Sequence, residues 1–347
     1  MKKTVFSILA VSLLLSLTLT GCQTGKPTLK VFSWGAYIDE SVIEQFESDY
    51  NVSVIYEMFE SNEAMYTKLQ SGEKFDVLVP SDYMVQRLIE EEKLKKLNWD
   101  LIPNADGLMP LVMGHDFDPE NDYSVPYFWG NVGLVYNTTL VDEADLQDGW
   151  SILKNPKYKG QIYVYDSERD AFMIALKALG FSVNTTVSAQ LQAAYEWLEA
   201  LDQTMEPVYA TDDVIDNMIA GNKAIAMVYS GDAAYITYEN PDMAYFVPEE
   251  GTNFWVDSMV IPADAKNMEL AHKWINYMLD PEVAELNSIY VGYSSPITSV
   301  FETLQSTEFE GISAYTPRLD YALDEVFHYN DDVKRIIADL WVKVKAN

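Results

Sequence analysis

Cysteine and histidine are scarce in this sequence. Its 347 residues include one cysteine, Cys22, and three histidines, which stand far from one another and from that cysteine. One cysteine cannot form a disulfide within the chain, and no zinc-site spacing is present. The glycine-rich motifs of nucleotide-binding loops and the nucleophile-elbow motif are also missing. We therefore expect no metal and no cofactor.

Basic residues are few as well. The chain has 23 Lys and Arg against 54 Asp and Glu, which gives a formal net charge of -31. Such a chain repels nucleic acid and anionic lipid headgroups, and its field attracts cations. Negative charge also favours solubility, so it does not identify a ligand by itself. The hydrophobic content of 48% and the length describe a globular protein with room for two domains.

Long apolar runs are absent after the N-terminus. The run from Val5 to Leu19 follows two lysines, is short for a membrane span and is typical of a signal-peptide core. It ends in Leu19-Thr20-Gly21-Cys22, which resembles a bacterial lipobox, where the cysteine is lipidated. We expect residues 1–21 to be a lipoprotein signal peptide and residues 22–28 to be the lipidated cysteine and its tether. The alternative is an ordinary export signal with an incidental cysteine.

Strand-like and helix-like segments alternate along the rest of the chain. The first three predicted strands, each followed by a helical pattern, are Leu29–Ser33, Val52–Met58 and Phe75–Pro80. This alternation favours a parallel α/β sheet, in which ligands bind beyond the carboxyl ends of the strands. The side chains that follow these strand ends are therefore either candidate ligand contacts or core residues: Trp34, Tyr37, Ser81 and Tyr83.

The segment Phe254–Ser258 is predicted to be a strand because β-prone residues follow the turn formers Gly251 and Asn253. With a period of two, Trp255 and Asp257 point to the same face. An aromatic ring beside a carboxylate suits an organic ammonium ion, since the ring attracts the cation and the carboxylate accepts its N–H protons. The alternative is a core tryptophan next to a solvated aspartate.

Other acidic segments have simpler explanations. Residues 116–122 resemble a calcium loop, but Pro119 interrupts it and Tyr127 stands where the loop needs a bidentate glutamate. The acids from Asp166 to Asp170 begin a predicted helix, where the helix dipole alone favours them. Carboxylates are abundant, so a hydrolase with a carboxylate pair stays open, although nothing selects one pair.

Several segments together resemble the polyamine-binding proteins of bacterial ABC importers, of the spermidine/putrescine type. The resemblance is collinear over nearly all of the mature chain and is carried by Phe32–Tyr37, Tyr56–Met65, Asp76–Tyr83, Phe117–Gly130, Asn155–Gly160, Asp166–Phe172, Phe254–Pro262 and Gly292-Tyr293. It implies an α/β protein with the two-lobe, type II periplasmic-binding-protein fold, in which the ligand cleft lies between the lobes. Lobe 1 would comprise residues 29–136 and 255–305, and lobe 2 residues 137–254 and 306–347.

The resemblance also implies the residues of the site. The expected ligand contacts are Trp34, Tyr37, Ser81, Tyr83, Asp170, Tyr229, Trp255, Asp257 and Tyr293. A second group of candidates consists of Ser33, Glu60, Ser167, Glu168 and Asn330. Two family carboxylates are replaced, by Ala36 and Ser167, which leaves Asp170 and Asp257 as the acids carried over directly. Two acids match a diamine, so we expect putrescine to bind at least as tightly as spermidine.

These inferences describe an extracytoplasmic protein that captures putrescine or spermidine and delivers it to the permease of an ABC transporter. We expect a monomer that is not an enzyme, is held at the cell membrane by its lipid alone and binds no nucleic acid. The alternatives are a binding protein for another cationic solute or for an iron chelate, and the hydrolase mentioned above.

Overall fold

The structure of the protein is a computed structural model that describes residues 25–211 and 213–346. The predicted signal peptide, the predicted lipidation site Cys22 and Asp212, whose position before a helical pattern predicts a helix cap, lie outside the described residues. The fold is α/β and has two lobes, as predicted. None of the helices in the described part of the chain is long and apolar enough to span a bilayer.

The strands are β1 (Thr28–Trp34), β2 (Ser53–Phe59), β3 (Val77–Leu78), β4 (Ser124–Asn137), β5 (Ile162–Tyr165), β6 (Val208–Ala210), β7 (Ile225–Tyr229), β8 (Met243–Phe246) and β9 (Phe254–Val260). The α-helices are α1 (Glu40–Tyr50), α2 (Asn62–Gln70), α3 (Asp82–Glu90), α4 (Glu168–Ala178), α5 (Ser188–Met205), α6 (Asp213–Ile219), α7 (Ser230–Glu239), α8 (Met268–Met278), α9 (Pro281–Val291), α10 (Thr298–Gln305) and α11 (Asp331–Val344). Short 3-10 helices occupy Trp99–Leu101, Pro103–Gly107, Pro110–Val112, Glu143–Lys154, Pro156–Tyr158 and Ser313–Tyr315.

The strands are arranged in the order β2-β1-β3-β9-β4-β7-β5-β6, with β8 paired to β4. The pairs within β2-β1-β3 and within β7-β5-β6 are parallel. Both β4 and β9 run antiparallel to their neighbours. The parallel sheets predicted from the strand-helix alternation are therefore present, and two antiparallel strands lie between them.

Strand β4 is long enough to belong to both halves of this arrangement. Its first part, Ser124–Asn131, pairs with β9, and its second part, Val132–Tyr136, pairs with β7. The chain passes from one half to the other within β4 and returns just before β9. This topology supports the proposed division into a first lobe, residues 29–136 and 255–305, and a second lobe, residues 137–254 and 306–347.

The C-terminal helix α11 packs on α4 and α5, which places it with the second lobe. The indole N–H of Trp341 donates to the carboxylate of Asp166 at 3.2 Å, and the ammonium of Lys345 lies 2.5 Å from the same carboxylate. These contacts occupy Asp166 at the end of β5. They also connect the C-terminal helix to the carboxyl end of β5.

Local sequence explains the start of α1 and one error in the predicted strands. The Asp39 carboxylate accepts the Ser41 N–H at 2.8 Å and so caps α1. The predicted strand Phe75–Pro80 is too long, because only Val77–Leu78 pairs as a strand. The strand is shorter at both ends for local reasons. At its start the Asp76 side chain, not its backbone carbonyl, accepts the Lys30 N–H at 3.0 Å. At its end Pro80 has no N–H to donate to a neighbouring strand.

A candidate cation-binding site between the lobes

The site is centred on β9, where Trp255 and Asp257 share one face as predicted. The Asp257 carboxylate accepts the hydroxyl proton of Tyr37 at 2.7 Å and is 6% exposed. The Trp255 ring meets the Tyr293 ring edge to face, with centroids 5.1 Å apart and an interplanar angle of 90°. Tyr293 also lies 5.7 Å from the Tyr37 ring. The Trp255, Tyr293 and Tyr37 rings therefore form a continuous series of contacts that ends at the Asp257 carboxylate.

Two glycines allow these rings to pack so closely to the backbone. A Cβ atom at Gly130, which pairs with Trp255 across β4 and β9, would lie 2.7 Å from the indole ring. A Cβ atom at Gly231, at the start of α7, would lie 2.0 Å from the Tyr293 ring. Any larger residue would displace these aromatic side chains, since real Cβ atoms do not approach so closely.

The second lobe contributes Asp170 from the first turn of α4. Its carboxylate accepts hydroxyl protons from Ser167 and from Tyr229, both at 2.7 Å. Ser167 is the N-cap of α4, and its hydroxyl group positions the Asp170 carboxylate. The Tyr229 ring lies 6.2 Å from the Trp255 ring, at 85°. Asp170 and Asp257 thus adjoin the same aromatic cluster from opposite lobes.

Two further carboxylates at this site were not predicted from the sequence. Asp232 in α7 accepts a hydroxyl proton from Tyr293 at 3.1 Å, a bond between the two lobes, and another from Tyr165 within the second lobe. Asp82, at the start of α3, is 1% exposed and accepts the backbone N–H groups of Tyr83 at 2.6 Å and Val256 at 3.3 Å. Both residues follow the carboxyl end of a strand, where ligands bind in α/β sheets. This position is the sequence feature that could have identified them as candidates.

Burial raises the pKa of all three carboxylates that lie deepest in the site. The pKa of Asp257 rises to about 6, although hydrogen bonds from Tyr37 and Ser81 oppose the rise. The pKa of Asp82 rises to about 8, because burial and the nearby Asp257 charge outweigh its backbone hydrogen bonds. Burial also raises the pKa of Asp170, against the hydrogen bonds from Ser167 and Tyr229. An adjacent cation would favour the ionised form of each acid.

Of the other predicted contacts from the first lobe, Ser81 adjoins Asp257 and Tyr83 adjoins Tyr229, whereas Trp34 packs on a different ring. Trp34 is half-buried against Phe59, with ring centroids 4.6 Å apart. Ser81 is held by Asn62, whose side-chain amide donates to the serine hydroxyl at 3.1 Å. The Tyr83 ring is buried beneath the guanidinium of Arg169, which lies 3.7 Å from the ring centroid.

The residues of the second group of candidates lie in different parts of the structure. Ser33 is buried in β1 and lines a small cavity with Tyr56 and Tyr127. Glu60 is exposed between β2 and α2. Glu168 and Asn330 both line a second cavity of about 250 Å³ beside α4 and α11, and the Asn330 side chain caps α11 by accepting the Val333 N–H at 3.0 Å. The structure does not bring these residues together at one point.

This fold and site define a class of protein. A family model for bacterial extracellular solute-binding proteins matches residues 41–311, and the chain belongs to that family. The spermidine/putrescine-binding periplasmic protein of Salmonella typhimurium is 33% identical over 321 residues, which cover 92% of each chain. The Escherichia coli K12 protein of the same name is 35% identical over 271 residues, covering 78% of this chain and 77% of that one.

Solved structures give the same result. The spermidine/putrescine ABC transporter substrate-binding protein PotD from Streptococcus pneumoniae, in complex with calcium and HEPES, superposes with a TM-score of 0.79 and 35% identity. The match covers 92% of this chain and 99% of that one. These relatives are transport proteins that bind solutes, and their two-lobe fold agrees with the sheet topology described above.

Proposed function

We propose that this protein captures a polyamine, putrescine or spermidine, in the cleft between its lobes and delivers it to an ABC importer. The observation that carries the proposal is the pairing of buried carboxylates with aromatic rings. Within residues 25–211 and 213–346, neither Asp257 nor Asp170 forms a salt bridge with a basic side chain. Burial of an unpaired carboxylate is costly, and an ammonium ion supplied by a ligand would offset that cost.

The chemistry of a polyamine matches both parts of the site. Its methylene groups would leave water for the faces of Trp255, Tyr229 and Tyr293, at about 0.8 kcal/mol each. Its terminal ammonium groups would donate hydrogen bonds to Asp257 and Asp170 and interact with the neighbouring rings. The further contacts we propose are the other first-lobe residues predicted from the sequence, Trp34, Tyr37, Ser81 and Tyr83.

The relatives support the same ligand class, since their names specify spermidine and putrescine. The position of the acids on opposite lobes supports a mechanism in which the ligand holds the lobes together and the closed shape is recognised by the membrane transporter. We infer that the protein releases its ligand unchanged and therefore is not an enzyme, and that it acts as a monomer.

A thermal-shift screen tests the proposed ligand class. Putrescine, cadaverine, spermidine and spermine are compared with lysine and with sodium chloride at matched ionic strength. A polyamine at 100 times its Kd should stabilise the folded protein by about 2.7 kcal/mol, because it binds only the folded state. Stabilisation by lysine but by none of the four polyamines would favour the alternative of another cationic solute.

We further infer that the protein is anchored through a lipid on Cys22 at the outer face of the cytoplasmic membrane or in the periplasm. Cys22→Ala should release the protein into the soluble fraction, because an alanine cannot carry the lipid. Membrane fractionation after a salt wash measures this, with Thr24→Ala as the matched control that stays with the membrane. Retention of Cys22→Ala on washed membranes would contradict the lipobox interpretation.

A further inference from the structure

Asp82 is a buried acid that the ligand contacts proposed above leave unexplained. It is the first residue of α3 and is 1% exposed. It follows Ser81, which lies opposite Asp257 in β9, and it precedes Tyr83. In the part of the chain that the structure describes, no basic side chain forms an ion pair with Asp82. Because a buried carboxylate without a cation is costly, its position beside the ligand-binding strand points to a role there.

The backbone of β9 explains why an acid stands at this position. The Ser258 N–H donates to the Pro80 carbonyl at 3.0 Å, as in an antiparallel ladder. In such a ladder the next N–H on this side of β9 is that of Val256, and it faces residue 82. The chain has turned into α3 by that point, and the Asp82 carboxylate accepts the Val256 N–H at 3.3 Å in place of a backbone carbonyl. The acid therefore holds β9 at the residue that separates its two proposed ligand contacts.

Both oxygens of the Asp82 carboxylate accept backbone N–H groups. One oxygen accepts the Tyr83 N–H at 2.6 Å, and the other accepts the Val256 N–H. An ionised carboxylate suits two such donors, whereas a protonated carboxyl group carries a hydrogen of its own on one of these oxygens. An asparagine would offer one acceptor oxygen instead of two. The hydrogen bonds therefore match the ionised acid.

The surroundings of Asp82 oppose that ionised form. The charged or titratable groups that face it are Tyr83 in α3, Asp257 in β9 and Arg169 in α4. Burial, together with the Asp257 charge, outweighs the two hydrogen bonds and the Arg169 charge and raises the pKa of Asp82 to about 8. Without a ligand, the acid is therefore mostly protonated at pH 7, and a further positive charge nearby would ionise it.

We propose that Asp82 is a positioning residue that fixes β9 between Trp255 and Asp257 and releases its proton to the solvent when a cationic ligand enters the site. The proposal rests on the proposed function and adds an acid that acts through β9 without touching the ligand. An ammonium group at Asp257 compensates the charge that opposes ionisation of Asp82, and it attracts the new carboxylate in a desolvated space. The ionised acid then accepts both N–H groups and holds the strand most firmly in the bound state.

Calorimetric titration with putrescine, at several pH values and in two buffers of different ionisation enthalpy, measures both the affinity and the protons released. Asp257 ionises near pH 6, so proton release above that pH is assigned to Asp82. In the unmodified protein, affinity should rise by up to about tenfold per pH unit between pH 6 and pH 8, and binding at pH 7 should release about one proton. Asp82→Asn should release almost none at pH 7, and its affinity should level off above about pH 6. At pH 8 it should bind putrescine about tenfold more weakly, or 1.4 kcal/mol.

Asp142→Asn is the matched control, because it makes the same change at an exposed cap whose carboxylate accepts the Ala144 N–H at 3.2 Å. It should keep the original pH profile and proton release. If Asp82 were only a structural cap, folded Asp82→Asn would bind more weakly by the same factor at every pH and release as many protons as before. That result, or unchanged affinity in this variant, would overturn the proposal.

One outcome does not depend on the folding of a variant. Binding of putrescine by the unmodified protein at pH 7 without proton release would overturn the role of Asp82 and leave the proposed function intact. Failure of the unmodified protein to bind any polyamine would instead contradict the proposed function. Melting temperatures verify that each variant is folded.

Discussion

Replacement of Asp257 by asparagine is expected to weaken polyamine binding by about 2–5 kcal/mol, the usual loss when one partner of a buried charge pair is removed. The substitution preserves the shape of the side chain and the acceptor for the Tyr37 hydroxyl, but it removes the charge that faces the ammonium. Calorimetric titration with putrescine measures the loss. Asp264→Asn is the matched control, because that carboxylate is exposed and pairs with Lys74 at the surface.

The pH dependence of binding gives a second result for the same variant. The Asp257 pKa is raised to about 6, and an ammonium ligand favours the ionised carboxylate. Affinity in the unmodified protein should therefore rise as the pH increases through about 6, and Asp257→Asn should lose this component. Unchanged affinity and an unchanged pH profile in folded Asp257→Asn would rule out a direct contact between this carboxylate and the ligand.

Replacement of Trp255 by alanine is expected to cost about 2 kcal/mol or more of binding free energy. The indole meets the Tyr293 and Tyr229 rings at nearly right angles, so its removal would take away both ligand contact area and the support of its neighbours. Trp255→Phe is the comparison variant, since it retains an aromatic face, and it should lose less.

Because Trp255 is only 7% exposed, the stability of both variants must be measured beside their affinity. Chemical denaturation provides this value. Wild-type affinity in a folded Trp255→Ala protein would show that the indole belongs to the core alone, which was the alternative interpretation of the sequence.

The centre of the site could be predicted from the sequence because it depends on local periodicity. The alternation within β9 places Trp255 and Asp257 on one face regardless of what packs around them. The position of Tyr37 just beyond β1 likewise follows from the preceding strand. The hydrogen bond between Tyr37 and Asp257 then connects residues separated by 220 positions, and only the structure shows it.

The remaining acids depend on contacts that sequence patterns do not contain. Asp82 follows the third predicted strand, where a helical pattern begins, and the structure adds that its carboxylate accepts the Val256 N–H in β9. Asp232 also begins a helix, and its bond to Tyr293 across the lobes follows from the way the chain crosses through β4 and β9. Arg169 stands among the acids that begin α4, and no periodicity or motif of that segment indicates its contact with Tyr83.

The most direct measurement is the crystal structure of the protein bound to putrescine. The proposed mechanism predicts one ammonium group about 2.7–2.9 Å from a carboxylate oxygen of Asp257 and the other at that distance from Asp170. The methylene chain should lie against Trp255, with Arg169 still stacked on Tyr83. A diamine bound with neither carboxylate within hydrogen-bonding distance, or bound in the cavity beside α4 and α11, would contradict the proposed site.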